Sequence, residues 1–500
     1  MELFIFREVV MASKITLSEG KIQPLLVRLA FPLLIGNILQ QFYNIISSII
    51  VERYLGETAF AAIGIAGTVM NLFIFILGGC CTGIAVIMAS LYGKGDHPAL
   101  RQAIFLSLVF GASFTLLIGL LGLTCTPFLL RLIQTPPAVS ALAVEYLNTI
   151  FLGLLACFFY NFFAAVLRAI GNTSAALLFL LVSIVISLFL AILFVAHLGL
   201  GVRGAALATV LAQILSALLC LLYIRKTLPF LRVGREDMRY DGSMIAKITR
   251  FSLVSALHQS SLYIGKLLVQ GAVNTMGLAA ISAYTATTRV EGIVLAVGDS
   301  GAEAISVFVA QNTGAGKRPR ARQGFFIGLR GLLAIAALLS LILFFSAEAL
   351  MRFFVPDGSA QTISYGTSYL QILCFFYFLS YTGSAFVGFY RGSGLVNIPL
   401  IGTTLHISLR VILSYLFVSS LGMDAVSYAT GIGWIVIVIF HSLMFVHLKK
   451  KEDLLSGPVS VTEEPVSPVP EAPASELAQG PLDTFSGSEQ GDAAEPEEPA

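Results

Sequence analysis

The sequence predicts an all-α polytopic membrane protein, in which twelve transmembrane helices form two six-helix lobes around a central cleft. Apolar residues make up 57% of the chain and charged residues 12%, against about 45–50% and about 25% in soluble proteins. Apolar runs of about 20 residues, the length that crosses a bilayer as a helix, recur between Leu29 and Val446. The two halves of the chain also resemble each other, which predicts two lobes of the same design.

Twelve apolar spans follow one another, and a polar loop divides them into two sets of six. Hydropathy predicts the spans at 29–51, 58–92, 102–127, 141–166, 174–197, 204–224, 249–271, 279–313, 324–347, 364–389, 397–419 and 425–447. The second and eighth are long, so we expect them to tilt, bend or protrude. The predicted organisation is an N-terminal segment at 1–28, a first lobe at 29–224, a loop at 225–248, a second lobe at 249–448 and a tail at 449–500.

The charges along the chain predict its orientation. With the N-terminus inside, the inner segments carry 22 Lys and Arg residues and the outer segments carry four. The positive-inside rule then places both termini in the cytoplasm, and we expect a multi-pass protein of the cell membrane. Ten acidic residues and no basic residue lie from Ser456 onward, in a Pro-rich stretch, so the tail is predicted to be disordered. The remainder is basic, which suits contact with anionic membrane lipids.

The two halves align at a nearly constant offset. The matched positions are Gly56 with Gly277, Gly93 with Gly314, Gly95 with Gly316 and Arg101 with Arg322 at a shift of 221, and Arg168 with Arg391, Gly171 with Gly394 and Gly199 with Gly422 at a shift of 223. Because each half has an even number of spans, both halves enter the membrane in the same direction, as a parallel repeat. Two such lobes can rock about a cleft, which indicates a transporter. A helical scaffold is the alternative.

Five segments resemble the multidrug and toxic compound extrusion (MATE) family, and the resemblance extends from about residue 18 to 450. The segments are SEGKIQPLLVRLAFPLLIGNILQQFYNIISSIIVERYLGETAFAAIG at 18–64, LRAIGNTSAALL at 167–178, GVRGAALATVLAQ at 201–213, VAQNTGAGK at 309–317 and FYRGSG at 389–394. Bacterial and archaeal members are the most similar. The resemblance implies two six-helix lobes, alternating access and export of organic cations against a proton or sodium gradient.

The sequence departs from the resembled family at its ion sites. Family members usually carry an aspartate in the first span, where this chain has Ser47. They also carry Asn and Asp in the fifth span, where this chain has Ser183 and Ser187. The carboxylates that some members place in the seventh and tenth spans fall near Leu262 and at Ser380. The resemblance therefore implies a substrate cavity at these serines without the usual acids, so the substrate need not be cationic.

The first span carries a polar stripe on one helical face. Asn37, Gln40, Gln41, Asn44 and Ser48 follow one another at steps of one to four residues and share that face. Amides in this position indicate a wet cavity or a substrate-binding wall. The alternative is hydrogen bonding between packed helices.

Three acids lie in the eighth span, where an unpaired charge is costly. They are Glu291, Asp299 and Glu303. Asp299 and Glu303 are four residues apart and therefore about 6 Å apart along the axis of a helix. Two carboxylates this close share a proton more readily than both ionise, which predicts a proton-coupling site. The alternative is wetting by the cytosol or pairing with a base.

The basic candidates within spans are Lys266 in the seventh, and His406 with Arg410 in the eleventh. Lys266 and His406 are further candidates for ion coupling, as is Glu291, and Arg410 is a candidate for the substrate cavity. Arg410 lies near the middle of its span, so we expect it to face the cleft or an acid. There it would bind an anionic group of a substrate through paired hydrogen bonds, or tie the eighth and eleventh spans together. Lys266 would alternatively extend toward the membrane surface.

Motifs of catalysis are absent from the sequence. It contains no G-x-x-x-x-G-K-[ST] loop for ATP and no H-E-x-x-H metal motif. We therefore expect no enzyme activity, no metal, no nucleic-acid partner and no cofactor besides a proton or sodium gradient.

The predicted function is secondary active export of amphipathic drug-like compounds or metabolites by ion-coupled antiport, carried out by a monomer in membrane lipid. A first alternative is a flippase of lipid-linked oligosaccharides from the same superfamily, in which Arg410 and Lys266 would hold a pyrophosphate. A second is a relative that no longer transports.

Overall fold

The computed structural model describes residues 17–455, which form helices joined by turns, with no strand in that range. The helices are α1 (Ile22–Lys94), α2 (His97–Leu132), α3 (Pro137–Leu152), α4 (Leu154–Ala169), α5 (Thr173–Ala191), α6 (Gly201–Thr227), α7 (Gly242–Asn274), α8 (Leu278–Gly314), α9 (Arg318–Phe354), α10 (Ala360–Cys374), α11 (Tyr377–Gly392), α12 (Asn397–Leu421) and α13 (Asp424–Leu455). A π-helical turn, Ile192–His197, extends α5. The all-α prediction is confirmed.

The helices accommodate the predicted spans. Within 17–455, eight helices are long and apolar enough to cross a membrane, and ten spans result when two bent pairs are counted as one span each. The bent pairs are α3 with α4, at 49°, and α10 with α11, at 56°. The helix α1 has 73 residues and is broken at Gly56, so it holds two spans. The less apolar α7, of 33 residues, takes the place of the seventh span.

Two boundaries differ from the prediction. The expected loop between the first two spans is reduced to Gly56, whose φ of 77° and ψ of 179° only glycine adopts readily. The helix α13 continues to Leu455, beyond the predicted end of the second lobe at 448. Most of the predicted disordered tail, from 456 to 500, and the first 16 residues of the N-terminal segment lie outside the described residues.

The internal repeat is visible in the backbone. Glycines with a left-handed φ occupy matched positions in the two halves: Gly56 and Gly277 (77° and 90°), Gly95 and Gly316 (76° and 74°), Gly171 and Gly394 (86° and 80°), and Gly199 and Gly422 (62° and 60°). The two bent helix pairs are also matched, since a shift of 223 places the start of α4 on the start of α11. The two-lobe repeat is therefore confirmed.

The lobes meet in a reciprocal contact where α1 and α8 end. Gly93 packs on the backbone of Gln311, and Gly314 packs on the backbone of Ser90, so closely that a Cβ at either glycine would overlap its neighbour. A shift of 221 exchanges Gly93 with Gly314 and Ser90 with Gln311. Each lobe therefore makes the same contact with the other lobe, as expected at a two-fold axis. We call this end of the bundle, with the α1–α2 and α8–α9 turns, the turn end.

The segments that precede the two lobes cross over at the turn end. Arg101, at the start of α2, donates from Nε to Asp237 Oδ2 at 2.9 Å, in the segment before α7. Arg320, at the start of α9, donates to the carbonyls of Glu19 and Gly20 at 2.8 Å, in the segment before α1. Each lobe thus holds the chain that enters the other. The hydrogen bond from Arg101 lowers the pKa of the Asp237 carboxyl.

Candidate functional site

The polar stripe of α1 faces the second lobe over part of its length. Asn37 Nδ2 donates to Ser300 Oγ of α8 at 2.9 Å, and Gln41 lies beside Gly292 of the same helix. Gln40 is half-buried, whereas Gln41 and Asn44 are exposed. Asn37 thus makes a hydrogen bond between packed helices, which was the alternative, while the cavity interpretation of the exposed amides stays a prediction.

The three serines at the predicted first-lobe site are differently placed. Ser47 is half-buried, while Ser183 and Ser187 are 8% and 5% exposed. The Ser187 hydroxyl pairs with Tyr43 OH at 2.8 Å, and Tyr43 OH also lies 3.4 Å from Thr209 Oγ1 of α6. In this conformation Ser187 therefore joins α5 to α1. Sequence reasoning missed Tyr43, because one tyrosine in an apolar run does not stand out from core residues.

Asp299 and Glu303 have different surroundings. Asp299 is exposed although its neighbours Gly298 and Ser300 are buried, so its side chain faces open space. Glu303 Oε1 lies 2.7 Å from Arg168 Nε of the first lobe, with the two side chains 32% and 21% exposed. The structure thus pairs Glu303 with a base from the other lobe. The shared proton between Asp299 and Glu303 stays a prediction.

A second arginine lies near this acidic pair. Arg391 is buried and within electrostatic range of both Asp299 and Glu303. It lines a small cavity together with Glu303, Thr82 and Ser306. Because Arg168 and Arg391 are matched positions of the repeat, two equivalent bases flank one acid that has no equivalent: Thr82 occupies the Glu303 position in the first lobe. In the sequence, the signal for this arrangement was the match of Arg168 with Arg391 in the internal repeat.

A buried hydrogen-bond chain continues from Arg391. Its Nη2 lies 2.9 Å from His258 Nδ1, and His258 Nε2 lies 2.9 Å from Thr403 Oγ1. Arginine can only donate, so Nδ1 accepts and the ring proton of a neutral His258 is on Nε2, directed at Thr403. This chain fixes Arg391 between α7, α11 and α12. Sequence reasoning missed His258, a single histidine among apolar residues.

The remaining charged candidates gather in the second lobe. Tyr369 OH donates to the buried Glu291 at 3.3 Å. Arg410 lies beside the hydroxyls of Tyr284 and Tyr369, and Lys266 is within electrostatic range of Glu291 and Arg410. We call Lys266, Tyr284, Glu291, Tyr369 and Arg410 the basic cluster. It brings together residues of α7, α8, α10 and α12, but no ion pair within 4 Å joins Arg410 to Glu291 in the described part of the chain, so the expected tie between the eighth and eleventh spans stays a prediction.

His406 lies next to this cluster. It is 7% exposed and stacks on Trp434 with ring centroids 6.5 Å apart. His406 Nε2 and Arg410 Nε are buried without a hydrogen-bond partner in the described part of the chain. Among the described residues, no three His, Cys, Asp or Glu side chains are placed to hold a metal ion.

Known proteins match this chain in both of its lobes. The family model named MatE matches residues 32–193 and 253–416, one segment in each lobe. The chain is 26% identical to the "Probable multidrug resistance protein YpnP" of Bacillus subtilis, over 84% of this chain and 93% of that protein. It is 24% identical to the "FAD transporter" of Shewanella oneidensis, over 71% and 79%. A MOP superfamily transporter from Pyrococcus furiosus has the same fold, with a TM-score of 0.81 over 88% of this chain and 99% of that chain at 22% identity.

Proposed function

This chain belongs to the MatE family of membrane transporters, and from that premise we propose that it exports amphipathic drug-like compounds or metabolites by ion-coupled antiport with alternating access. It is a multi-pass membrane transporter and not an enzyme. This proposal includes a proton as the coupling ion, a location in the cell membrane, termini in the cytoplasm and a monomeric state.

The observation that carries the proposal is the reciprocal contact at the turn end. Gly93 and Gly314 each pack on the opposite lobe there. Asp299 remains exposed about 22 Å from Gly314 along α8, at about 1.5 Å per residue. These two observations support a cleft that is closed at one end and open farther along. Separation of the turn end would reverse this access, and the basic residues predict that the turn end faces the cytoplasm.

Glu303 offers a physical link between a proton and this movement. Its ionised form attracts Arg168 and so holds the lobes together at the turn end. A proton that enters the open cleft meets Asp299 first and then Glu303, four residues farther on. Protonation of Glu303 removes the attraction, because a neutral carboxyl does not form an ion pair. The turn end then opens, the proton leaves to the cytoplasm, and the restored ion pair favours closure around the substrate.

The test is export from cells that produce the protein. Fluorescent cationic, neutral and anionic compounds would be loaded, and FAD would be included because one relative is named a FAD transporter. We expect export that collapses with a proton uncoupler and persists when sodium is replaced. Export that requires sodium would contradict proton coupling, and no export of any compound would contradict the proposed function as a whole.

A second candidate function is flipping of a lipid-linked pyrophosphate compound. The observation that favours it is the proximity of Lys266 and Arg410, two bases that can bind a pyrophosphate. This function predicts translocation of a fluorescent pyrophosphate lipid across proteoliposomes without an ion gradient. No such translocation, together with gradient-dependent export of soluble compounds, would exclude it.

A further inference from the structure

We propose that the basic cluster binds an anionic group of the transported substrate, a carboxylate, phosphate or sulfonate, between Lys266 and Arg410. This inference rests on the proposed function and names the substrate class: an amphipathic anion rather than a cation. Three features of the molecule support it: the packing of α7 on α12, the charges of the cluster and the uncharged wall of the first lobe.

Close helix packing brings the two bases together. Gly265 of α7 is buried against Ile407 of α12, at a distance that leaves no room for a Cβ. Lys266 follows Gly265 directly, and Arg410 lies about one helical turn after Ile407. The Lys266 side chain is exposed although α7 packs closely here. Lys266 is therefore exposed and at the same time within electrostatic range of Arg410 and Glu291.

The cluster has more positive charge than its acid neutralises. Two bases, Lys266 and Arg410, share one carboxylate, Glu291, which already accepts a hydrogen bond from Tyr369. No ion pair within 4 Å joins either base to Glu291 in the described part of the chain. Asp299 interacts with Arg391 and Glu303, in the other group of charges. A net positive charge within a membrane protein is costly unless it is paired or hydrated, so an anion is the expected partner.

The opposite wall of the cleft does not supply that anion. The candidate lining residues of the first lobe are Gln40, Gln41, Asn44, Ser47, Ser183 and Ser187, all uncharged. Amides and hydroxyls can bind the neutral polar parts of a substrate, but they neither neutralise Arg410 nor attract a cation. The charge of the cleft between these two walls therefore favours a negatively charged substrate.

Unpaired polar atoms mark where the anion would bind. Among the described residues, Arg410 Nε is buried without a hydrogen-bond partner, as is His406 Nε2 four residues before it, while the hydroxyls of Tyr284 and Tyr369 lie beside the guanidinium. Buried polar atoms are nearly always hydrogen-bonded to protein, water or ligand. The guanidinium presents two parallel N–H groups to a carboxylate or phosphate, while Lys266 adds a point charge and Tyr284 a hydroxyl donor. A negatively charged substrate oxygen would thus accept a hydrogen bond from Arg410. Its charge would also compensate the excess positive charge of the basic cluster.

Binding of two dyes of opposite charge tests the inference. Carboxyfluorescein and rhodamine 123 share a xanthene ring, but the first is an anion and the second a cation. Fluorescence anisotropy with the purified full chain in detergent would measure both. We expect tighter binding of carboxyfluorescein, and we expect Lys266→Gln and Arg410→Gln each to weaken it about tenfold, as the loss of a charge-assisted hydrogen bond predicts. Arg410→Lys, which keeps the charge, should weaken it less.

The controls separate this inference from the proposed function. Lys94→Gln removes a charge at the turn end, where Lys94 is 63% exposed beside Asp96, and should leave carboxyfluorescein binding unchanged. If the Arg410 variants fail to fold, the Lys266→Gln variant still tests the site, because it is expected to weaken carboxyfluorescein binding by itself. Tighter binding of rhodamine 123, no binding of carboxyfluorescein, or unchanged affinity in both glutamine variants would overturn the anion site. Gradient-dependent export of cations in cells would at the same time leave the proposed function in place.

Discussion

Arg168 and Glu303 form an ion pair at 2.7 Å that joins the first lobe to the second. Arg168 lies at the end of α4, and its repeat equivalent Arg391 approaches the same acid from within the second lobe. The acid itself has no equivalent, because the first lobe has Thr82 at that position. In the proposed mechanism, the charge of this one acid holds the turn end closed.

Removal of the charge of Glu303 should uncouple transport from the proton gradient. Glu303→Gln keeps the side-chain length but loses the attraction to Arg168, so gradient-dependent export should fall about tenfold or more, the effect of losing about 1.4 kcal/mol. Asp299→Asn should have a similar effect if it delivers the proton. The matched control is Glu348→Gln, which breaks the exposed Arg352–Glu348 pair and should retain export. Full uncoupler-sensitive export by Glu303→Gln would reject the assignment.

A methyl group at the reciprocal contact should force the turn end apart. Gly93→Ala and Gly314→Ala each place a Cβ into the backbone of the opposite lobe, so we expect lower thermal stability and strongly reduced export. Gly331→Ala is the control: a Cβ there meets open space, and alanine is about 0.5–1 kcal/mol better than glycine within a helix. Melting temperatures of the purified variants measure the difference. Equal stability of all three variants would contradict the close contact.

The Arg101–Asp237 pair should make the stability of the protein depend on acid pH. Its hydrogen bond lowers the pKa of Asp237 in the folded state. The pair therefore stabilises the fold above the unfolded value of about 3.9, and this contribution is lost as the pH falls through the folded pKa. Asp237→Asn should be less stable by about 1–3 kcal/mol at pH 7.

Thermal melts from pH 7 to pH 3 test this prediction. The difference between the wild type and Asp237→Asn should shrink toward zero at the acid end of the range. Glu236→Gln, at the exposed neighbouring position, should follow the wild type throughout. A difference between wild type and Asp237→Asn that does not change with pH would show that the asparagine disturbs packing and not an ion pair.

The sequence was sufficient to predict the repeat, because turns that need a left-handed residue leave matched glycines such as Gly56 and Gly277. It was also sufficient for the spans, since about 20 apolar residues cross a bilayer whatever their neighbours. The bends before Leu154 and Tyr377 were missed, because hydropathy runs unbroken through each bent pair.

The contacts of the site were predicted less well than its residues. Arg168 was recognised as a matched position of the repeat but not as a site residue, and its partner Glu303 lies 135 positions later in the other lobe. Such a pair is made by the packing of lobes, which local pattern does not encode. Glu291, Lys266 and Arg410 were identified because charge within a span is rare. The tyrosines that surround them were not, because tyrosine is common at the polar edges of apolar cores.

In the proposed mechanism, protons drive transport and the turn end opens during the transport cycle. Purified protein in sealed proteoliposomes tests it, with an acidic lumen, a sodium gradient or no gradient imposed, and with the compound that cells export best outside. We expect accumulation of the compound only with the acidic lumen, and none with Glu303→Gln. Accumulation driven by sodium alone, or equal accumulation without a gradient, would contradict it.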